Sequence, residues 1–343
     1  MYFVVLGKNK DLSLHELDLL QPKGVRIFKE IAEIDEIGKP LFHQLGGIIK
    51  YGRILDLESI YDELETVDII GTNNKELGIS LKKNGFVRRF KEVELTKTDR
   101  EIKEKGKEVI YLTNDKFGIV DGYQNIGVYE TIDFGKPSSG MTIGMMPSKL
   151  AHIMINVGIN ALTLDGPVDD VTVYDPFTGF GTTGFLANYF GYNFIGSDIN
   201  ITPFKPNLKW WKEQSYYKPD FKMHEFKHDV NNPFEKNILK YVNLIVTEGW
   251  LGPVVKERTT TNELLNHKYR IQELYVNFLK NAYDFWEKIT IVITIPVYLK
   301  SEIDTVHPIL DEAEKMGFMT EMIGQVYERK KQNVGRQVVV FQK

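Results

Sequence analysis

The residues with the clearest chemical potential lie together in the middle of the chain. Residues 174–184 have the sequence Tyr-Asp-Pro-Phe-Thr-Gly-Phe-Gly-Thr-Thr-Gly, after the apolar run 171–173 and before a stretch, 185–190, that can form a helix. A strand, a glycine-rich turn and a helix in this order form a site for a nucleotide-type ligand. In dinucleotide-binding sites the glycines follow the strand directly, and phosphate-binding turns contain Gly-Lys-Ser/Thr. In this chain Asp-Pro-Phe-Thr precedes the glycines and no lysine follows them, so neither pattern is present.

The residue types in this turn favour close approach of a ligand to the backbone. Gly179 and Gly181 remove side chains where the backbone must approach a ligand, and both can adopt positive φ. Thr182 or Thr183 is expected to cap the helix that follows. The turn has no lysine for a phosphate, and an acid, Asp175, stands at the strand end before it.

The pattern over 175–182 resembles motif I of the S-adenosylmethionine (SAM) methyltransferases, in the Asp-Pro-Phe form of enzymes that methylate amino groups of nucleic-acid bases. The resemblance implies that SAM is the cofactor. The implied contacts are Asp175, Pro176, Phe177, Gly179, Gly181 and Thr182. SAM carries no phosphate, so it needs no lysine in the turn, and Asp175 is the acid implied for its methionine ammonium. The alternative is a generic strand-to-helix turn of an α/β domain.

Composition limits the class of protein. A chain of 343 residues with 42% hydrophobic and 26% charged residues is expected to form two or more globular domains. No apolar run approaches the length of a membrane span, and the first residues lack the features of a signal peptide, so we expect a cytoplasmic protein with no membrane partner. The absence of cysteine excludes disulfides and thiol chemistry, and the seven histidines lack metal-ligand spacing, so no metal is expected.

The net charge of −4 argues mildly against a strongly basic nucleic-acid binder, but it permits a local basic face. Three basic clusters contain or adjoin aromatic residues on which bases can stack. They are Lys82, Lys83, Arg88, Arg89 and Lys91; Lys205, Lys209 and Lys212; and Arg329, Lys330, Lys331 and Arg336. The alternative for each cluster is an ordinary solvated surface.

The pattern along the chain predicts a small α+β region followed by an α/β domain. In the first part, Ser13 and Glu16 are expected to form a helix capping box, 58–70 a charged helix, and 75–81, 109–113 and 117–120 strands. A turn-rich segment, 133–140, is expected to separate the parts. Later strands are predicted at 171–175, 193–197, 223–227, 242–247, 289–295 and 336–342, with helices near 146–156, 183–190, 203–214, 234–240, 262–286 and 306–316. Such alternation predicts a doubly wound, mostly parallel sheet, with the last strand at its edge.

Acidic residues end the next two strands of this domain. Asp198, at the tip of the second strand, lies where an α/β fold binds a ribose diol, and Ile199 beside it is a further candidate contact. An exposed loop aspartate is the alternative for Asp198. Asp229 follows the third strand, where it is placed either to accept from an adenine amino group or to cap a helix.

The fourth strand ends in Thr-Glu-Gly-Trp-Leu-Gly-Pro over residues 247–253. Enzymes that methylate exocyclic amines carry an acceptor and a stacking aromatic in this loop, usually as Asp/Asn-Pro-Pro-aromatic. Trp250 is predicted to stack on the base, unless it is a core residue. The acceptor is predicted to be Glu248, since a carboxylate accepts well from an amine, with Thr247 as the alternative.

The whole chain resembles the THUMP-containing tRNA guanosine N2-methyltransferase family, which acts at position 10 of tRNA. The segments that carry the resemblance are 3–17, 45–50, 146–156, motif I, Asp198 and 334–336. In that family the helix over 146–156, which contains Lys149, corresponds to motif X and packs beside SAM. The loop over 247–253 looks like a bacterial branch of the family and departs from the standard Asp-Pro-Pro-Tyr.

This resemblance implies a division into a ferredoxin-like segment (1–50), a THUMP-like tRNA-binding region (51–135) and a Rossmann-like SAM methyltransferase domain (136–343). It also implies that tRNA is the partner and that the target base is flipped into the pocket. Two alternatives stay open: a DNA adenine-N6 or cytosine-N4 methyltransferase, and a protein that binds SAM or RNA without turnover. A partner subunit is compatible with each of them.

Overall fold

The computed structural model divides the chain into two units, Met1–Asn125 and Ile126–Lys343. The structure describes residues 1–20, 26–113, 116–140, 145–164, 166–235, 237–329 and 332–343. The domain boundaries predicted from the sequence, 50/51 and 135/136, do not coincide with the division at 125/126. Residue 50 is inside strand Ile48–Leu55, which pairs on both sides within the first unit, and helix Ile126–Phe134 packs on helices of the second.

The first unit forms an eight-stranded sheet in the described residues. Its strands are β1 (Tyr2–Leu6), β2 (Arg26–Phe28), β3 (Ile31–Ile34), β4 (Ile48–Leu55), β5 (Ile69–Thr72), β6 (Arg89–Glu92), β7 (Lys107–Thr113) and β8 (Lys116–Tyr123). Its helices are α1 (Lys10–Leu20), α2 (Lys39–Gln44), α3 (Leu57–Leu64), α4 (Lys75–Lys83) and α5 (Arg100–Lys105). The strand order is β2-β3-β1-β4-β8-β7-β5-β6, and only the β5–β6 and β5–β7 pairs are parallel.

Three local predictions for this unit are wrong in whole or in part. The helix predicted over 58–70 ends at Leu64, and residues 69–72 form strand β5. The predicted strand 75–81 is helix α4, because Asn74 caps it by accepting a hydrogen bond from Leu77 N at 3.0 Å. The predicted capping box fails because α1 begins before Ser13, at Lys10. The Glu16 carboxylate instead accepts from Gly46 N at 2.8 Å and Gly47 N at 2.7 Å, which ties α1 to the loop before β4.

The interior of the first unit contains a buried ion pair. Lys50 Nζ on β4 lies 2.6 Å from Glu108 Oε1 on β7, and both side chains are fully buried. Tyr123 on β8 donates to the other carboxylate oxygen at 3.0 Å. Burial raises the pKa of Glu108 and lowers the pKa of Lys50. Three strands are therefore joined through one carboxylate.

The second unit alternates strands and helices as predicted. Its strands are β9 (Thr172–Asp175), β10 (Asn193–Asp198), β11 (Met223–Lys227), β12 (Leu244–Thr247), β13 (Thr290–Tyr298), β14 (Met319–Tyr327) and β15 (Val334–Gln342). Its helices are α6 (Ile126–Phe134), α7 (Ser148–Thr163), α8 (Thr182–Phe190), α9 (Phe204–Trp211), α10 (Thr261–Phe285) and α11 (His307–Met316), with a short 3₁₀ helix (Asn237–Tyr241).

The sheet order is β11-β10-β9-β12-β13-β15-β14. The first five strands are parallel and the last two pairings are antiparallel, so the predicted α/β fold with a mostly parallel sheet is confirmed. The chain moves outward from β9 to β11 and then returns to β12 on the other side of β9. A doubly wound sheet binds ligands at this point of reversal, beyond the carboxyl ends of its strands.

The prediction that the last strand forms the edge is wrong. β15 lies between β13 and β14, and β14 is the edge strand. β14 has polar or exposed residues along most of its length, with Ile323 as its one buried residue, so its sequence lacks the apolar alternation of a strand with one buried face. The insertion of β15 brings its first residues beside the end of β13.

Candidate active site

Three functional predictions meet at the reversal point of the sheet. Asp175, Asp198 and Thr247 are the last residues of the adjacent parallel strands β9, β10 and β12. Thr247 Oγ1 donates a hydrogen bond to Asp175 Oδ1 at 2.6 Å. The loop that follows β12 therefore begins in direct contact with the acid of the glycine-rich turn.

The glycine-rich turn is tied to the second strand by a hydrogen bond from Gly179 N to Asp198 Oδ2 at 3.0 Å. The other oxygen of Asp198 accepts from Asn200 N at 2.9 Å, so the carboxylate orientation is fixed by backbone on both sides. Gly179 has φ of +49°, and a Cβ at this position would meet only Phe177 O, at 3.7 Å. The backbone at Gly179 is therefore open to a ligand beside Asp198.

Gly181 has a different role from Gly179. With φ of +90° it is itself the N-cap of α8, and a Cβ there would lie 2.5 Å from the Phe204 ring. Its place as N-cap corrects the prediction that Thr182 or Thr183 caps the helix, because both threonines already lie inside it and neither makes a cap hydrogen bond. Gly181 is thus required by packing and backbone conformation.

Asp175 is buried and has only neutral hydrogen-bond donors. Besides Thr247 Oγ1, its Oδ1 accepts from Phe177 N at 3.1 Å. Burial raises the pKa of Asp175 to about 7, although the hydrogen bonds from Thr247, Thr183 and Phe177 oppose this rise. No cationic side chain among the described residues pairs with it. When it is ionised, the carboxylate is therefore a buried anion without a paired cation.

The two residues after Asp175 are part of the core. Pro176 is buried, and the Phe177 ring lies 5.8 Å from Phe278 and 6.5 Å from Tyr275, both on α10. Their packing positions the start of the turn against α10. The Phe177 side chain is partly exposed.

A buried lysine that the sequence analysis did not identify also adjoins the turn. Lys136 donates from Nζ to Thr182 Oγ1 at 2.7 Å, and it is 6% exposed. Burial lowers the pKa of Lys136 to about 8, and the charges of Asp133 and Glu248 oppose the decrease. Because Lys136 lies in a turn-rich segment 46 residues before its partner, no local pattern marked it.

Glu248, the predicted acceptor, is ion-paired with a buried arginine. Arg336 Nε on β15 lies 2.5 Å from Glu248 Oε1, and Arg336 also donates to Gln332 Oε1 at 3.2 Å. Burial raises the pKa of Glu248, and the charges of Arg336, Arg329 and Lys136 oppose the rise. Glu248 Oε2 has no hydrogen-bond partner among the described residues.

The loop after Glu248 is held mainly through its backbone. Thr294 Oγ1 donates to Glu248 O at 2.5 Å, and Tyr275 OH contacts Trp250 O at 3.2 Å and Thr294 O at 2.8 Å. Gly249 has φ of +66°, and a Cβ there would lie 2.3 Å from Tyr275 OH. The partly buried Trp250 ring packs against the core and has the Arg270 guanidinium 5.2 Å from its centroid.

Three further predicted contacts lie at the margins of this region. Asp229 closes a local turn, since its Oδ1 accepts from Asn231 N and Nδ2, both at 3.0 Å, so it does not cap a helix. Ile199 is 62% exposed directly after Asp198. Lys149, on α7, has its Nζ 5.4 Å from the centroid of the Tyr129 ring.

The basic clusters differ in their surroundings. Arg88, Arg89 and Lys91 form ion pairs with acidic residues of the first unit, and Arg336 is buried. Lys205, Lys209 and Lys212 are exposed on or next to α9. Lys330 and Lys331 lie outside the described residues.

Neither a metal centre nor a membrane span is found in the described parts of the chain. No His, Asp and Glu side chains there form a group of three or more suited to a metal ion. No helix described by the structure combines the length and the apolar character needed to cross a membrane.

Comparisons with known proteins give structural matches only. No protein-family model and no curated protein matches the sequence. A methyltransferase from Pyrococcus furiosus aligns at a TM-score of 0.41 and 13% identity, over 64% of this chain and 94% of that one. A SAM-dependent methyltransferase from Methanosarcina mazei aligns at a TM-score of 0.39 and 10% identity, over 52% of this chain and 94% of that one. A putative RNA methyltransferase from Pyrococcus horikoshii aligns at a TM-score of 0.39 and 14% identity, over 63% of this chain and 93% of that one.

Proposed function

We propose that the second unit is a SAM-dependent methyltransferase that acts on the exocyclic N2 amino group of a guanosine in tRNA. The observation that carries the proposal is the convergence of the glycine-rich turn, Asp198 and the Glu248 loop at the reversal point of the sheet. This is where doubly wound folds bind nucleoside-type ligands. The proposal for the substrate depends on the resemblance described above.

The residues present fit SAM. The backbone at Gly179 is open, and Asp198 beside it keeps lone pairs on both carboxylate oxygens for a ribose diol. Exposed Ile199 is available for an apolar contact with the adenine, and Asp229 for its amino group. Thr182 and Lys149, at the starts of α8 and α7, are the further proposed contacts. When bound, SAM supplies a methyl group on a sulfonium.

The Glu248 loop provides the groups that an exocyclic amine requires. Because the amine of guanine is conjugated with the ring, it is a weak nucleophile, and a hydrogen-bond acceptor on its hydrogens helps it to react. Glu248 Oε2 is proposed as that acceptor, and Trp250 as the aromatic that stacks on the flipped base. The Thr247 hydroxyl already donates to Asp175, which favours Glu248 over Thr247 for this role.

The first unit is proposed to be a THUMP-like tRNA-binding module. Its support is the sequence resemblance of segments 3–17 and 45–50, together with exposed cationic residues on α4. Recognition of RNA by backbone and shape would not require a basic chain overall. The tRNA would then be captured by one unit and methylated by the other.

The ion pair of Glu248 supports a second candidate, a protein that binds SAM or RNA without turnover. A carboxylate committed to Arg336 is a weaker acceptor than a free one, and the loop departs from the Asp-Pro-Pro-Tyr pattern. Against this candidate stands the uncommitted Oε2 atom of Glu248.

The test is methyl transfer from labelled SAM to unmodified tRNA transcripts, with duplex DNA in parallel and nucleoside analysis of the product. N2-methylguanosine in tRNA is the expected product, and Glu248→Gln should abolish it. Glu257→Gln is the matched control, because the Glu257 side chain is 87% exposed in the same loop region. Label in DNA alone would favour a DNA methyltransferase, and SAM binding without transfer would favour the binding protein or a missing subunit.

A further inference from the structure

Two opposite charges are buried at the glycine-rich turn without being paired to each other. Lys136 Nζ has the neutral Thr182 hydroxyl as its hydrogen-bond partner. The Asp175 carboxylate accepts from the Thr247 and Thr183 hydroxyls and from Phe177 N–H, which are also neutral. No carboxylate among the described residues lies within 4.0 Å of Lys136 Nζ. Burial of a charge without a counter-charge is costly, so such groups are rarely retained without a ligand or a partner.

Both charges adjoin the same helical turn. Lys136 contacts Thr182 and Asp175 interacts with Thr183, and these threonines are the first two residues of α8. A buried lysine and a buried carboxyl group therefore contact consecutive residues at the start of α8. A ligand that carries an anion and a cation a few bonds apart would satisfy both groups at once.

We propose that Lys136 binds the α-carboxylate of the amino-acid portion of SAM while Asp175 binds its α-ammonium group. This inference rests on the proposed function and adds to it a second charged contact, from a residue outside the motif. It makes the site selective for the zwitterionic amino acid. A nucleoside thioether without the carboxylate would leave Lys136 unpaired.

Thr182 has a defined role in this arrangement. Its oxygen accepts from Lys136, so the hydroxyl hydrogen is still available to donate. A carboxylate placed beside Lys136 would therefore receive one charged hydrogen bond from the ammonium and one from the threonine. The contact between Lys136 and Thr182 holds the lysine in position before the ligand arrives.

The first test uses the wild-type chain and three ligands in isothermal titration calorimetry. These are S-adenosylhomocysteine, its decarboxylated analogue with a 3-aminopropyl chain, and 5′-methylthioadenosine, which lacks both charges. A charged hydrogen bond contributes enough that removal of the carboxylate should weaken binding about 10- to 100-fold. Equal affinity for S-adenosylhomocysteine and its decarboxylated analogue would overturn the proposal without any variant.

The second test is a double-mutant cycle between protein and ligand. Lys136→Met keeps an unbranched side chain that is one atom shorter and removes the charge, so S-adenosylhomocysteine should bind about 10- to 100-fold more weakly. The decarboxylated analogue should change less than about twofold, because it lacks the group that Lys136 contacts. Lys209→Met, at an exposed lysine of α9, is the control and should change neither affinity.

The folding of the variant is itself informative. Because Lys136→Met removes a buried charge that has no carboxylate within ion-pair distance among the described residues, its thermal midpoint should equal or exceed that of the wild type. Equal losses of affinity for both ligands would show that Lys136 acts only on the structure and would overturn the proposal. If the wild type binds neither S-adenosylhomocysteine nor its decarboxylated analogue, the proposed function fails together with this inference. If it binds both with equal affinity, only the inference is overturned.

Discussion

Arg336 Nε lies 2.5 Å from Glu248 Oε1, although the two residues are 88 positions apart in the chain. The arginine comes from β15, the antiparallel strand inserted beside β13, and its side chain is 1% exposed. The pair therefore fixes the carboxylate of the loop after β12 from a strand on the antiparallel side of the sheet. Burial raises the pKa of Glu248, and the positive charge of Arg336 opposes this rise.

Removal of Arg336 is expected to move the pH dependence of methyl transfer. In Arg336→Met, burial acts on Glu248 without its main counter-charge, so the pKa of Glu248 rises further and more of it is protonated at neutral pH. A protonated Glu248 accepts poorly, so the rate at pH 7 should fall. The acidic limb of the kcat profile should move up by about one pH unit or more.

The control for this prediction is Arg336→Lys, which keeps a positive charge and should move the limb less. A rate that falls equally at every pH, with the limb unmoved, would assign Arg336 a purely structural role. Methyl-transfer rates measured from pH 5.5 to 9 at saturating SAM and tRNA distinguish these two outcomes.

Substitutions of the two candidate acceptors should separate chemistry from binding. Glu248→Gln removes the carboxylate but keeps the shape of the side chain, so kcat should fall about 100-fold or more with nearly unchanged SAM affinity. Thr247→Val removes a hydrogen bond to Asp175, so it should weaken SAM binding and leave kcat at saturation close to wild type. The opposite pattern would assign the acceptor role to Thr247. Single-turnover rates together with calorimetry distinguish the two outcomes.

Contacts between residues close in the chain were predictable, and contacts that depend on tertiary packing were not. Asp175, Gly179 and Asp198 follow from strand ends and turn chemistry, and the structure brings all three together. Lys136 and Arg336 were not identified as site residues, because only the packing of α6–α7 and the insertion of β15 places them there.

The errors in the fold have the same origin. Edge strand β14 is mostly exposed and therefore lacks a period-2 apolar pattern, so β15 was expected at the edge. In α4, the apolar residues Leu77, Ile79 and Leu81 alternate as in a strand. The Asn74 cap and the packing of Gly78 on Phe90 select the helix instead.

The affinity for S-adenosylhomocysteine is expected to rise with pH through the pKa of Asp175. The ligand ammonium requires an ionised Asp175, and burial raises the pKa of this residue to about 7 in the free protein. Below that pKa the group is protonated, so affinity should increase up to about tenfold per unit between pH 5 and 7. Calorimetry in buffers matched for ionic strength would measure the slope.

Asp175→Asn is the control, because it should bind more weakly and show no slope in this range. The folding of the free protein gives an independent check. A carboxyl with a raised pKa contributes stability below its unfolded pKa, and this contribution is lost as pH rises from the unfolded value of 3.8 to about 7. Asp175→Asn should remove that loss, and an unchanged pH dependence of stability would contradict the assignment.

The two glycines of the turn should respond differently to alanine. Gly181→Ala places a Cβ 2.5 Å from the Phe204 ring at φ of +90°, so the folded state should lose stability by about 2 kcal/mol or more. Gly179→Ala meets open space at φ of +49°, which costs about 1 kcal/mol. Gly179→Ala should therefore fold but bind SAM more weakly, because the methyl group lies on the surface proposed to face the ligand.

Thermal unfolding and calorimetry on both variants test this contrast. Gly85→Ala is a matched control, since Gly85 also has positive φ with open space around it but lies in the first unit. Retention of full SAM affinity in Gly179→Ala would place the ligand elsewhere.

Removing one partner of the buried Lys50–Glu108 pair is expected to lower the free energy of unfolding strongly, and replacing both partners is expected to lower it little. Lys50→Met leaves Glu108 as an unpaired buried carboxylate, so the first unit should lose about 3–5 kcal/mol. Lys50→Met/Glu108→Gln removes both charges and keeps an acceptor for Tyr123, so it should regain most of that loss. Hydrogen exchange of peptides covering β4 and β7 in the full chain reports the opening free energy of this unit.

The pH dependence identifies the charge as the cause. In Lys50→Met the folded-state pKa of Glu108 stays above its ordinary value because of burial, so folding favours the protonated form. The stability of this variant should therefore be closest to wild type near pH 4–5 and should decline as pH rises through the folded pKa of Glu108, as the group ionises. The double variant has no carboxylate to titrate and should not decline. A loss in Lys50→Met that is constant with pH would instead indicate a packing defect at β4, because lost contacts do not depend on the protonation of Glu108.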